Sequence, residues 1–217
     1  MRCRPSIRSA AARLAAGTAL AALAAASGCG SAPLTRFHTL LDAPPGTASG
    51  ADGGKLAWEL LPVIVPVQVD QPQLVVRADD GTLALRENER WIAPLADEYR
   101  AALVDRLTQA LGTPPWLGQA PKDGRLWRVR VDVQRFDSVP GRYALEELNW
   151  SLRPAEAAGG DALLACHGRV EVAVGAGYPA LTAGHRQAVE RFAAVIAAKL
   201  RALDAGQPAD CPAMPGR

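Results

Sequence analysis

Few residues in this sequence are arranged as catalytic or metal sites require. The three histidines are His38, His167 and His185. None has another His, Cys, Asp or Glu at metal-ligand spacing, apart from His167, which directly follows Cys166. Neighbouring strand residues point to opposite faces, so Cys166 and His167 cannot readily share a metal or act as nucleophile and base. We therefore expect no metal and no cofactor.

Two other short patterns are compatible with chemistry but have simpler interpretations. Glu146 and Glu147 could work as acid and base, although adjacent strand residues diverge and a solvated turn is the simpler interpretation. Gly175-Ala176-Gly177 could hold an anion before a helix, or it is a plain strand-to-helix turn. The sequence has no G-x-S-x-G elbow, no P-loop and no H-E-x-x-H motif. We therefore expect no catalytic residues, and a protein that binds a partner.

The cysteines are consistent with an exported protein. Beyond Cys3 and Cys29, near the start of the chain, only Cys166 and Cys211 remain. They could form one disulfide in an oxidising compartment, or stay as two unpaired thiols. If formed, the bond would close a loop of about 45 residues. It would stabilise the fold by roughly 3–4 kcal/mol and pin the C-terminal tail.

The first 28 residues have the layout of a secretory signal peptide. Residues 1–13 hold four arginines and no acid, and residues 14–26 are a short apolar run rich in alanine. Removing this leader would turn the formal charge of +2 slightly negative. Such a charge gives no electrostatic reason to expect nucleic acid as a partner. No later segment approaches the roughly 18 apolar residues that a membrane-spanning helix needs.

The leader ends in Ala26-Ser27-Gly28-Cys29, which resembles the lipobox of bacterial lipoproteins, although Ala26 stands where that pattern usually has Leu. In lipoproteins the cysteine thiol is lipidated, the leader is cut before it, and the new amine is acylated. Several acyl chains, each buried CH₂ worth about 0.8 kcal/mol, would hold Cys29 firmly on a membrane. Gly30 follows, where enterobacterial lipoproteins retained in the inner membrane have Asp, so it favours the outer membrane. The alternative is ordinary cleavage after residues 24–26, with Cys29 left as a free thiol.

The hydrophobic pattern predicts an α+β fold in a single domain, with a mainly antiparallel sheet and two long helices packed on it. The composition, 49% hydrophobic and 21% charged, is that of a folded chain. Apolar residues at i, i+3, i+4 spacing from Ile92 to Leu111 predict one helix over 93–111. A second helix is expected over 180–203.

Strict alternation of apolar residues predicts three consecutive strands in an antiparallel meander, beginning near Trp127, Leu148 and Leu164. A hairpin is expected earlier, with strands over 73–77 and 82–86. The run over 60–69 contains two prolines, which confine it to an edge, a bulge or an irregular strand. A further short strand is expected over 36–41.

Two motifs lie ahead of the first predicted helix, and the second of them runs into its start. Residues 70–77 read D-Q-P-Q-L-V-V-R, and residues 90–95 read R-W-I-A-P-L. Together with an aromatic-x-x-Leu strand, Phe37-His38-Thr39-Leu40, they resemble the ABC-type transport auxiliary lipoprotein component family, the PqiC-type lipoproteins. Val69-Asp70-Gln71 departs from the family's Leu-Asp-Arg, and residues 92–94 depart from Ala-Glu-Pro. The resemblance covers about residues 29–203.

The resemblance implies a lipid-anchored protein on the periplasmic face of the outer membrane. It would be an accessory component of an intermembrane lipid transport system, binding and anchoring a periplasm-spanning MCE-domain protein. A homo-oligomer is a further expectation. The chain then divides into a lipoprotein signal peptide (1–28), a lipidated N-terminus and linker (29–56), the auxiliary lipoprotein domain (57–205) and an irregular tail (206–217). The alternative is a structural or assembly lipoprotein of another envelope complex.

The two motifs also supply candidate interface residues, namely Asp70, Arg77, Arg90 and Trp91. Trp and Arg are enriched at protein interfaces, so Trp91 could be an exposed anchor beside Arg90. Alternatively, Trp91 packs as a cap over the start of the following helix.

Overall fold

Seven strands and two helices make up the described part of the chain. The computed structural model describes residues 34–41, 56–118, 125–155 and 164–214. Thr35–Arg217 forms one compact unit. The strands are β1 (Arg36–His38), β2 (Ala57–Leu60), β3 (Gln73–Arg77), β4 (Leu83–Trp91), β5 (Leu126–Val139), β6 (Tyr143–Pro154) and β7 (Leu164–Ala173). The helices are α1 (Leu95–Leu111) and α2 (Tyr178–Asp204).

The strands form two sheets, with the orders β1-β4-β3 and β2-β5-β6-β7. The predicted α+β single domain and the antiparallel meander β5-β6-β7 are confirmed. The expectation of one mainly antiparallel sheet needs a correction of detail. Both sheets are mixed, because β1 pairs parallel to β4 and β2 pairs parallel to β5. Each parallel pair is joined through a long stretch of chain, which parallel pairing requires.

Helix α1 begins two residues later than predicted and ends where predicted. Pro94 is its N-cap, and Gly112, at φ 75°, closes it in the left-handed conformation. Ile92 therefore lies before the helix and is 61% exposed, although its spacing had placed it on the buried stripe. The rest of that stripe is buried as predicted, comprising Leu95, Tyr99, Leu103, Leu107 and Leu111.

Helix α2 packs with its backbone close to the sheet. A Cβ added at Gly184 would overlap Val174 Cγ1 and lie 3.0 Å from Ala144 Cβ, so the close approach requires glycine there. The large apolar residues and Ala188 on the inward side of this helix are buried, namely Leu181, Ala188, Val189, Phe192, Ile196, Leu200 and Leu203.

Strand β5 is covered on both faces at its C-terminal end. Its pairing with β6 shifts between Val133 and Arg135, which marks a bulge. Before the bulge the apolar side chains alternate inward, as predicted; beyond it, residues 136–139 are all buried. Asp137 there meets a side chain from β3, and Ser138, on the other face, meets α2. This doubly covered segment joins the two sheets and α2.

The prolines have the predicted effect on the run after β2. That strand ends at Leu60, and residues 61–72 form no strand, although Ile64 makes an isolated β-bridge to Asp132. The hairpin is confirmed, with β4 extending to Trp91. In its turn the Asp80 carboxylate accepts bonds from the Thr82 hydroxyl and N–H, which lowers the pKa of Asp80.

Candidate functional site

The first strand is held to its neighbour by a buried carboxylate. Glu89 on β4 is 8% exposed, and its Oε2 lies 2.5 Å from Nε2 of His38. Its other oxygen lies 3.4 Å from the guanidinium of Arg36. His38, one of the histidines considered for chemistry, therefore helps to attach β1.

A second carboxylate fixes the residues that follow β1. Glu98 on α1 is 4% exposed and accepts two bonds through Oε2. Thr39 Oγ1 donates at 2.7 Å, and the backbone N–H of Leu40 donates at 2.9 Å. The N-terminal segment therefore enters the domain at a point fixed on both β4 and α1.

Arg77, the last residue of the first motif, joins the two sheets. Its Nε donates to both carboxylate oxygens of Asp137, at 2.8 and 3.1 Å, and Nη1 donates to the carbonyl of Gly81 at 3.0 Å. Asp137 is 3% exposed and also accepts from Arg135 at 2.8 Å. Arg77 therefore holds the β3–β4 hairpin against β5.

The second motif divides between the interior and the surface. Trp91 is 4% exposed and packs edge-on against Phe136, with ring centroids 6.1 Å apart. The structure therefore places Trp91 in the core, as in the packing alternative. Arg90, on the opposite face of β4, is half-buried, and its guanidinium makes no hydrogen bond or ion pair with any residue that the structure describes. It pairs in register with Phe37, which is 60% exposed.

Asp70 lies in the exposed turn before β3. Its N–H donates to the carbonyl of Pro66, and the neighbouring Val67 is 85% exposed. Arg77 and Arg90 lie at opposite ends of the hairpin, since Arg77 pairs with Leu83 while Arg90 pairs with Gln73. The four candidate interface residues therefore do not form one surface.

Sequence reasoning missed a buried polar cluster between the helices and the sheet. Ser138 Oγ lies 2.9 Å from His185 Nε2, and His185 Nδ1 lies 3.0 Å from Glu146 Oε1. The Tyr99 hydroxyl donates to Glu146 Oε2 at 2.6 Å. Phe136 stacks on the His185 ring, with centroids 3.8 Å apart. The solvated turn expected at Glu146 is wrong, because this side chain lies within β6 and is fully buried.

Ser138, His185 and Glu146 contact one another in the same order as the nucleophile, base and orienting carboxylate of a catalytic triad. Ser138 is 5% exposed and His185 is 1% exposed, so this hydroxyl cannot meet a substrate in this conformation. Burial, and then the adjacent Glu146 carboxylate, raise the pKa of Tyr99 well above its ordinary value. The cluster instead ties α1 and α2 to β5 and β6. The alternating pattern of β6 could have predicted that Glu146 is buried, since Glu146 lies in phase with the buried Leu148.

The C-terminal tail lies along the edge of β7. The Cys166 and Cys211 sulfurs are at bonding distance, with Cα atoms 5.6 Å apart. Lys199 Nζ donates to the Asp210 carboxylate at 2.6 Å. A Cβ on Gly168 would lie 2.9 Å from Met214 Sδ, so the tail packs directly on the strand. The tail contains no helix or strand up to residue 214, and its disulfide stays a prediction for the protein in the cell.

An apolar groove of about 510 Å³ lies at the C-terminal end of α1. Its lining comprises Leu56, Ala57, Thr113, Pro114, Pro115, Trp116 and Leu117. Both ends of this lining adjoin stretches outside the described residues, 42–55 and 119–124. We therefore assign no ligand or partner to this groove.

Two negative observations hold for the described part of the chain. No group of three or more His, Cys, Asp or Glu side chains there could hold a metal ion. No helix there is long and apolar enough to cross a membrane. The predicted lipidation site, Cys29, lies outside the described residues.

The fold defines a single α+β domain whose first strand is held by buried carboxylates and whose buried polar residues join its elements. The chain belongs to the ABC-type transport auxiliary lipoprotein component family, whose model matches residues 38–197. This family is not an enzyme family, and its members are membrane-anchored envelope proteins that associate with a transporter component.

Solved structures show the same fold. A crystal structure of an uncharacterized protein has a TM-score of 0.62 at 18% identity, covering 77% of this chain and 99% of that one. Protein XCC0632 from Xanthomonas campestris, of family DUF330, has a TM-score of 0.58 at 16% identity, covering 79% of this chain and 98% of its own. No curated protein matches this chain.

Proposed function

We propose that this chain is an outer-membrane lipoprotein, acylated at Cys29 and facing the periplasm. In this proposal it serves an MCE-type intermembrane lipid transport system by binding and anchoring the periplasm-spanning MCE protein. The observation that carries the proposal is the family match over residues 38–197. The basic leader and the small residues before Cys29 support export and acylation.

The exposed turn before β3 is our candidate for the contact with the MCE protein or with another copy of this chain. Val67 is 85% exposed and Asp70 is exposed beside it, so an apolar and an acidic group are both available there. Arg77 and Trp91 are engaged within the fold, by an ion pair and by packing, and have less to offer a partner.

The test is a cross-linked pull-down of the tagged full chain from cell envelopes, with mass spectrometry of the proteins and lipids recovered. We expect an MCE protein in the eluate. Asp70→Arg should lower its yield severalfold, because the substitution reverses a charge at the proposed contact. Asp79→Arg is the matched control: its carboxylate is 94% exposed in the hairpin turn, and we expect no effect.

An eluate without an MCE protein, from cells in which the chain is acylated and in the outer membrane, would contradict the transport role. It would favour the alternative of a structural or assembly lipoprotein for another envelope complex. Equal MCE yields from Asp70→Arg and Asp79→Arg would keep the transport role and move the contact elsewhere.

A further inference from the structure

An exposed patch lies where the N-terminal segment enters the domain. Phe37 and Arg90 are register partners of β1 and β4, so their side chains share a face of the sheet. Ile92, two residues after Arg90, donates its backbone N–H to the carbonyl of His38 at 2.9 Å. Phe37 is 60% exposed and Ile92 is 61% exposed. These three residues are called the Phe37 patch.

The chain length between Cys29 and β1 limits where this patch can be. Six residues separate Cys29 from Arg36. Even fully extended, that stretch reaches only about 25 Å. The strand it leads to cannot swing away from the domain, because Glu89 holds His38 and Glu98 holds the residues after it. An acylated Cys29 would therefore keep the Phe37 patch close to the bilayer.

The chemistry of the patch matches a phospholipid surface. An aromatic and a branched aliphatic side chain can bury apolar area at the boundary between headgroups and acyl chains. The Arg90 guanidinium, which has no hydrogen-bond or ion-pair partner among the described residues, can meet lipid phosphates there.

We infer that the Phe37 patch rests in the headgroup region of the membrane that holds the lipid anchor, and that it sets the orientation of the domain on that membrane. The inference rests on the proposed acylation of Cys29. The opposite end of β4, at Leu83, would then face away from the bilayer. Leu83 lies nine residues from Ile92 along the strand direction, roughly 25–30 Å away.

The experiment places the purified, acylated full chain in vesicles of phosphatidylethanolamine with a minority of phosphatidylglycerol. Two vesicle sets differ only in bromination of the acyl chains, because bromine quenches tryptophan nearby. Phe37→Trp adds an emitter to the patch, and Leu83→Trp, at a side chain 47% exposed, is the matched control. We expect brominated lipid to lower the added emission of Phe37→Trp at least twofold and to leave that of Leu83→Trp unchanged.

Ile92→Trp is a second probe in the patch and should behave as Phe37→Trp does. Adding Arg90→Glu to either probe should reduce the quenching. Intact mass reports acylation and vesicle flotation reports membrane binding, so together they distinguish a failed anchor from a patch that does not touch the lipid. Protein that is acylated and floats but shows equal emission in both vesicle sets would overturn the inference and leave the anchor standing. Protein that is neither acylated nor floated would overturn the anchor and the inference together.

Discussion

Buried carboxylates in this protein are each matched by donors from other elements. Glu146 accepts a hydrogen bond from the Tyr99 hydroxyl of α1 and contacts the His185 ring of α2. Glu98 accepts hydrogen bonds from the Thr39 hydroxyl and the Leu40 backbone N–H, which follow β1. A buried acceptor left without its donor costs about 1–3 kcal/mol, so these pairings specify which elements meet. The polar interior therefore acts in assembling the domain, in keeping with a family that is not an enzyme family.

The raised pKa of Tyr99 predicts a stability loss in alkali. The unfolded chain would ionise this tyrosine near its ordinary value of 10.0, whereas the folded chain keeps it protonated. The stabilisation is complete below pH 10 and is lost as pH rises above it, by about 1.4 kcal/mol per pH unit. Tyr99→Phe should be about 1–3 kcal/mol less stable at pH 7 and should lack this loss.

Denaturant unfolding between pH 7 and 11 gives the free energy of unfolding of the parent protein and of Tyr99→Phe. We expect the parent to lose more of this free energy above pH 10 than the variant does. Subtracting the two curves cancels the effects of the other titrating groups. Parallel curves above pH 10 would show that the Tyr99 hydroxyl is not held as the structure describes.

Contacts between elements depend on a few long-range links, and Arg77 joins the hairpin to β5 through an ion pair, beside the packing of Trp91 on Phe136. Arg77→Ala would leave the buried Asp137 carboxylate with Arg135 and Tyr143 as remaining donors. The Arg77 side chain is 35% exposed, so we expect a loss of about 1–3 kcal/mol, less than for a fully buried pair.

Hydrogen exchange locates this effect. Amides of β3 and β4 should lose more protection in Arg77→Ala than those of β6 and β7. Arg142→Ala is the control, because its guanidinium is 63% exposed and 3.8 Å from a solvated Asp79 carboxylate. A uniform loss of protection over all strands would argue against a local role in holding the hairpin.

The tail is attached by the contact of Cys211 with Cys166, by the Lys199–Asp210 ion pair and by the packing of Met214 on β7. If Cys166 and Cys211 are bonded in the exported protein, replacing both with Ala should lower the free energy of unfolding by roughly 3–4 kcal/mol. Alkylation without reduction, followed by intact mass, shows whether the thiols are free. Modification of both in freshly isolated protein would exclude the disulfide.

For the molecule as a whole, the decisive residue is Cys29. Cys29→Ser should remove the acyl chains and move the protein from the membrane toward the periplasmic fraction, because the buried acyl chains supply most of the proposed membrane affinity. Gly30→Asp should keep acylation but shift the protein toward the inner membrane, if sorting follows the enterobacterial pattern. Membrane fractionation with intact mass reads out both variants. A Cys29→Ser protein whose intact mass shows that the leader has been removed, but which stays fully membrane-bound, would contradict lipid anchoring.

The elements themselves could be predicted because local pattern governs them. Alternation in β5, β6 and β7 and helical spacing in α1 and α2 reflect which face is buried. The predicted starts lie within about two residues of the observed ones, except that β6 begins at Tyr143, five residues before the predicted Leu148. The motif ending in Arg77 and the motif beginning with Arg90 were also recognisable as sequence. Their roles were not, because burial of Trp91 and pairing of Arg77 depend on residues more than 40 positions away.

The sequence by itself determined the α+β class, the helices, the meander, the leader-like start and the family, since periodicity and short motifs are local properties. Tertiary structure alone decided that β1 and β2 join two separate sheets in parallel. It also decided that Glu146, Tyr99, Ser138 and His185 meet in the core, and that Arg90 is left facing outward beside Phe37. The reason is physical: a strand's pairing partner and a buried group's donor are chosen by the packing of the whole chain, where contacts distant in sequence compete, and no local pattern records the outcome.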